Sequence, residues 1–225
     1  MNVAPLKVLY EDNHLLAVNK PAGLPTMGVA ADQPSLLTVA KAYIKRKYEK
    51  PGNVYLGIVS RLDAPVTGVV LMARTSKAAR RLTEQFRQRE VVKRYWALVA
   101  RSPRPGTGTW TDWLRKDERH RKVLMSDEGA PGAQQAVLSY ETRPEGRSAV
   151  LVQIDLHTGR KHQIRVQFSA RQRPILGDRK YGSRLAFPAG IALHARELQF
   201  THPVQQSALH LVAPLPPSWR KYMRS

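Results

Sequence analysis

The segment Ser60-Arg61-Leu62-Asp63-Ala64-Pro65-Val66-Thr67-Gly68 is the strongest constraint on what this chain can fold into. Apolar residues from Val54 to Val59 lead into it, and Val69-Val70-Leu71-Met72-Ala73 follow. Both flanks are short, rich in β-branched residues and bounded by Gly and Pro, so both read as buried strands. Asp63 is therefore set on a tight connection between two pieces of core, where Pro65 and Gly68 restrict the backbone. A carboxylate held there beside Arg61 suits an ionised nucleophile or base. Taken alone, it more often marks a turn aspartate that accepts local N–H bonds.

The remaining pattern is a series of short strands with few helices between them. Lys7-Val8-Leu9-Tyr10 and Leu15-Leu16-Ala17-Val18 read as strands joined by a polar turn. Lys20-Pro21-Ala22-Gly23-Leu24-Pro25 then forces an irregular loop, since two prolines and a glycine cannot continue a ladder. Ser35 caps an expected helix to about Tyr48, and Thr75 or Ser76 caps a second to about Arg89. Val91 to Ala100 reads as a strand with two covered faces. Short strands follow at Thr109 to Leu114, Val123 to Met125 and Ala136 to Thr142, punctuated by turns that include Pro144-Glu145-Gly146. A strand from Ser148 to Leu156, a helix from Lys161 to about Ala170, strands near Ala192 to Phe200 and Ala208 to Val212, and a short helix from Ser218 complete the chain. No repeat or linker interrupts it. The expected class is α+β, with a large mixed, mostly antiparallel β-sheet flanked by helices, in one domain over residues 1–225.

With 225 residues, 42% of them hydrophobic, the chain can bury one sizeable core or two lobes sharing a sheet. Its 37 Lys and Arg against 17 acidic residues leave a formal charge of +20. The cations run through the folded-looking segments rather than forming a tail, so a polyanion is the expected partner, and nucleic acid is the commonest one. The absence of cysteine excludes disulfides, thiolate nucleophiles and Cys-ligated metals, and the seven His show no metal-ligand spacing. No metal is expected. No N-terminal segment reads as a signal peptide or a membrane span, so a cytoplasmic location without membrane attachment is expected, with a monomer as the default state.

Leu156-His157-Thr158-Gly159-Arg160-Lys161-His162-Gln163-Ile164-Arg165-Val166 places a glycine turn between a core strand and a helix. His162, Arg165 and Ser169 fall on one face at helical spacing. A cationic turn at a helix N-terminus suits phosphate, and an exposed basic helix start is the plain alternative.

Together these stretches resemble the RluA-type family of RNA pseudouridine synthases. The likeness runs from Leu9-Tyr10-Glu11-Asp12 and Val18 to Pro25 through Arg61-Leu62-Asp63 with Thr67-Gly68. It continues through Lys93 to Val99, Thr158 to Arg165, Pro174 to Gly182, and Leu193-His194-Ala195 before His202-Pro203. No single block is specific; their common order over nearly the whole chain is.

The resemblance implies a pseudouridine synthase fold with a central active-site cleft and isomerisation of specific uridines in structured RNA, rRNA or tRNA. It implies no cofactor. It makes Asp63 the catalytic aspartate, Tyr95 the tyrosine against the target uracil, Arg165 the cation that pairs with the aspartate, Leu193 an apolar pocket wall, and Arg61 a residue that fills the gap in the RNA stack. No small S4-type RNA-binding module is expected ahead of the domain.

Ser60 stands where the family often has His, Val66-Thr67 where it has Thr-Ser, and Gln167 where a His often follows. These departures leave the chemical residues in place and bear on RNA contact and substrate choice. Asp178 and Tyr181 read as turn residues, and Trp96, Trp110 and Trp113 as packing residues that could also stack on bases. The alternatives to an isomerase are a catalytically silent RNA-binding or RNA-folding protein on the same fold and, from the carboxylate beside the ribose, a glycosylase.

Overall fold

The computed structural model describes residues 5–30, 32–143 and 149–223. The turn expected at Pro144-Glu145-Gly146 and the strand start at Ser148 lie outside them. In chain order the elements begin with β1 (Val8–Glu11), β2 (Leu15–Lys20), α1 (Leu36–Lys47), β3 (Gly57–Ile58), β4 (Thr67–Ala73) and α2 (Ser76–Gln88). Next come β5 (Val92–Val99), β6 (Thr107–Asp117), β7 (Lys122–Ser126), β8 (Gln134–Arg143) and β9 (Val150–Leu156). The chain closes with α3 (Gln163–Ala170), β10 (Leu193–Thr201) and β11 (Ala208–Val212), with 3-10 turns at Arg179–Tyr181 and Pro217–Tyr222. Two compact units result, Met1–Val91 with Ala195–Leu215, and Val92–His194 with Pro216–Ser225. This is the expected α+β class, with antiparallel strand pairings in each unit.

In the first unit β4 is buried along its whole length and pairs with β2 from Leu15↔Ala73 to Lys20↔Gly68. That burial is why its sequence is uninterrupted apolar rather than alternating. Ala78 and Leu82 of α2 drop into the same core as Leu15, Leu71 and Phe200. Gly68 is needed at its position. Its φ is +117°, and a Cβ there would lie 2.2 Å from the carbonyl oxygen of Ala195.

The strand expected from Val54 to Val59 is reduced to Gly57–Ile58. Val54 and Leu56 are buried without joining a ladder. At its C-terminal end the pairing stops after Ile58, where Ser60 Oγ accepts the N–H of Leu71 at 2.9 Å, and at its N-terminal end β4 offers no partner beyond Ala73.

A polar clip closes this unit. Asp12 Oδ1 accepts the N–H groups of His14 and Leu15, both at 2.7 Å, and Oδ2 lies 2.8 Å from Nε2 of the fully buried His202. Because His202 Nδ1 accepts from the N–H groups of Val204 and Gln205, its proton sits on Nε2 and is donated to Asp12.

In the second unit the strands run in the order β5-β9-β8-β6-β7. Helix α3 packs Val166 against Leu114, Val123, Ala136 and Tyr181. It begins at Gln163 rather than Lys161. His162 is left-handed at φ +55°, and the Gln163 side chain folds back to accept from Thr158 Oγ1 at 2.7 Å and from the Arg160 N–H at 3.0 Å.

Trp110 packs rather than presenting a free stacking face. Its ring centroid is 4.8 Å from that of Phe168, and the Arg171 guanidinium lies 4.2 Å over it, fixed in turn by two bonds to Asp112.

Candidate active site

Asp63 sits half-buried on a turn closed by the Val66 N–H donating to its own carbonyl at 3.0 Å. The turn is stapled to the loop after β2. Thr26 Oγ1 donates to the Leu62 carbonyl at 2.8 Å and accepts the Leu62 N–H at 3.1 Å. The Gly23 N–H donates to the Ala64 carbonyl at 2.8 Å. That loop is itself tied to α1, since the N–H groups of Leu36 and Leu37 donate to the carbonyls of Pro25 and Thr26. The Pro-Gly-Pro loop thus supports the residues on both sides of Asp63, and Arg61 projects exposed from the same turn.

Beneath it lies Lys20, whose side chain is out of contact with solvent. Its Nζ donates to the carbonyls of Pro21, Leu24 and Ala64 at 2.8, 2.8 and 2.9 Å. Burial pulls its pKa down to about 7, and the negative charge of Asp63 pulls in the opposite direction. The three carbonyls also favour the ammonium, which has three N–H groups where the neutral amine has two. Lys20 Nζ is therefore held in one place facing the Asp63 turn from inside its own unit, and its charge is lost as pH rises through about 7.

A pH dependence follows. The unfolded lysine titrates near 10.5 and the folded one about 7, so between these values the unfolded chain binds more protons and folding stability rises with pH. Lys20→Met should remove that rise between about pH 7 and 10.5. Urea unfolding of both proteins across this window measures it, and parallel curves would rule it out.

Tyr95, Arg165 and Leu193 belong to the second unit. Tyr95 is half-buried on β5 opposite Ile154 of β9. Leu193 opens β10 and is buried, and the preceding Ala192 carbonyl accepts the N–H of Leu98 on β5 at 3.0 Å.

Arg165 is almost fully buried on α3, where its Nε and Nη2 donate to Asp178 Oδ2 and Oδ1 at 2.7 and 2.9 Å. Its guanidinium also lies 4.9 Å over the Tyr181 ring. Tyr181 Oη accepts the Val123 N–H at 3.0 Å and shares a hydrogen bond with His162 Nδ1 at 2.7 Å. Ser169 Oγ donates to the Tyr181 carbonyl at 2.7 Å. The His162, Arg165 and Ser169 face expected from spacing thus meets a single segment, Asp178 to Tyr181. The two residues read as a turn do form one, and they also hold Arg165.

Sequence reasoning missed Lys20 and Asp178. Their signal was their position inside two of the motif blocks, Val18 to Pro25 and Pro174 to Gly182. The family departures also turn out to face the protein. Ser60 caps a β4 amide, Val66 and Thr67 are buried, and fully buried Gln167 donates to Asp112 at 2.7 Å. All of them make packing or hydrogen-bond contacts within the protein.

Fold and motifs define the class as RNA pseudouridine synthases. The sequence model of the RNA pseudouridylate synthase family matches residues 14–170, and the chain belongs to that family of isomerases, in its RluA-type branch. It is 36% identical to the ribosomal large subunit pseudouridine synthase D of Xylella fastidiosa over 94% of this chain and 66% of that protein. It is 31% identical to the ribosomal large subunit pseudouridine synthase C of Buchnera aphidicola subsp. Schizaphis graminum over 97% and 70%. The chain thus spans about two thirds of the length of these relatives. Among solved structures, human RNA pseudouridylate synthase domain containing 4 superposes with a TM-score of 0.78 at 29% identity, over 96% of this chain and 92% of that one.

Proposed function

We propose that this protein isomerises specific uridines of large-subunit ribosomal RNA to pseudouridine, with Asp63 as the catalytic carboxylate. The observation that carries the reading is the Asp63 turn itself, held by hydrogen bonds on both sides of the aspartate above a buried lysine. The reaction breaks the C1′–N1 bond, turns the uracil and forms C1′–C5, while the base loses its C5 proton and gains one on N1. Atoms and electrons balance within the nucleotide. The site must therefore supply an ionised carboxylate at the ribose and a pocket that retains the loose base.

In this reading Tyr95 and Leu193 wall the uracil, Arg165 pairs with Asp63 to favour its ionised form, and Arg61 enters the stack where the uridine has left. The Asp178 pair sets the Arg165 guanidinium in one orientation before RNA arrives. The large-subunit substrate is suggested by the names of the relatives, and a cytoplasmic monomer fits such a role.

The test is pseudouridine mapping of total RNA from wild-type and deletion cells, with purified protein acting on large-subunit and tRNA transcripts. Loss of one or more large-subunit sites, restored in vitro, is the expected result. Loss confined to tRNA overturns the substrate. Release of free uracil indicates a glycosylase, and no change in any RNA indicates a silent binder.

A further inference from the structure

We infer that the second unit carries a separate pocket for an RNA backbone phosphate, built between the β6–β7 hairpin and the turn that precedes α3. The inference rests on the RNA-modifying function proposed above. The pocket has a volume of about 360 Å³, and no residue of the Asp63 turn lines it. That volume is at the small end of ligand sites, about 300–1,000 Å³, and suits one nucleotide unit of a longer strand. Leu114 and Val123 form an apolar floor, both almost fully buried. Arg115, Lys116, Arg160 and Lys161 supply cations from two different chain segments, against the single carboxylate of Glu118. Among the described residues none of these four cations is in an ion pair.

The walls are fixed in advance. On the hairpin side, the Val123 N–H donates to Tyr181 Oη at 3.0 Å, and Lys180 Nζ donates to the Arg121 carbonyl. On the other side, Arg160 Nε donates to the Gln135 carbonyl at 2.8 Å, and Gln163 ties the turn to the Val137 carbonyl at 3.1 Å. Arg160 is thus held before an anion binds and would lose little freedom on binding, while Arg115, Lys116 and Lys161 are exposed and project from backbone that these bonds fix. An extended polyanion is the occupant that matches both this rim and the +20 charge of the whole chain.

The experiment compares wild type with Arg115→Gln/Lys161→Gln, both in an Asp63→Asn background so that binding is read without turnover. The probe is the large-subunit RNA transcript that carries the modified site, at several salt concentrations. The double variant should bind about ten-fold more weakly near 0.15 M salt, and its log Kd against log salt should flatten by about 1 to 2. With Asp63 restored, the loss should fall mainly on KM rather than kcat. Thermal unfolding at an unchanged midpoint shows that the variant is folded; if the midpoint falls, Lys116→Gln, at an exposed position, replaces the double variant.

An unchanged Kd and salt slope in a folded variant overturns the inference while leaving the catalytic reading intact. Flattened salt dependence in a protein that isomerises nothing does the reverse. Tight binding of adenosine monophosphate or of a polyglutamate peptide at this pocket, without competition by RNA, would assign it to another ligand and overturn the inference.

Discussion

Asp63→Asn is expected to reduce pseudouridine formation by roughly four orders of magnitude or more, to background, while leaving RNA affinity within about two-fold. Asparagine keeps the shape of the side chain and cannot ionise. The bonds described for the turn run through the backbone at Leu62, Asp63 and Ala64 and the Thr26 hydroxyl, and asparagine leaves these in place. A carboxylate contributes nothing favourable to a phosphate backbone, so binding should survive its loss. Single-turnover assays on transcript RNA, with filter-binding on the same preparations, measure both quantities. Turnover within ten-fold of wild type would remove Asp63 from the chemistry. A parallel collapse of binding would assign it a structural role instead.

Asp178→Ala is expected to cost about 3–5 kcal/mol of folding stability, because it breaks a buried bidentate ion pair by removing one partner. Arg165 would lose its bidentate carboxylate partner while its side chain stays in a buried setting. The double variant Arg165→Met/Asp178→Leu should recover much of that stability, since replacing both members of a buried pair with apolar residues is often neutral. Turnover should not recover with it if Arg165 also serves Asp63. Urea unfolding read beside single-turnover rates separates the two effects. A double variant that restores both would leave Arg165 with a packing role alone, and a single variant as stable as wild type would show that the pair contributes little.

Much of the framework was legible because it depends on local chemistry. Ser35 and Thr75 cap α1 and α2 as their hydroxyls and the following apolar spacing required. Uninterrupted Val, Leu and Met in β4 announced a strand covered on both faces. Proline and glycine marked the irregular loop after Lys20. The ordered motif blocks led to Asp63, Tyr95, Arg165 and Leu193 as candidates, and family membership supports the reaction class.

What the sequence could not convey was which polar groups would leave water, and with whom. A lysine beside a proline reads as a surface charge. Lys20 is instead buried because three carbonyls, one of them 44 positions away, converge on its nitrogen. Asp12 and His202 meet across 190 positions, and Gln167 replaces an expected histidine by bonding to Asp112 across 55. The Val54 to Val59 run stops pairing after Ile58, where a serine hydroxyl, not a backbone carbonyl, takes the Leu71 amide of β4. Hydrophobic period and turn propensity act over a few residues and determine the elements. The desolvation of a charge is repaid only by partners that the assembled sheet and helices bring together, so the tertiary structure alone decided the supports of Asp63 and Arg165.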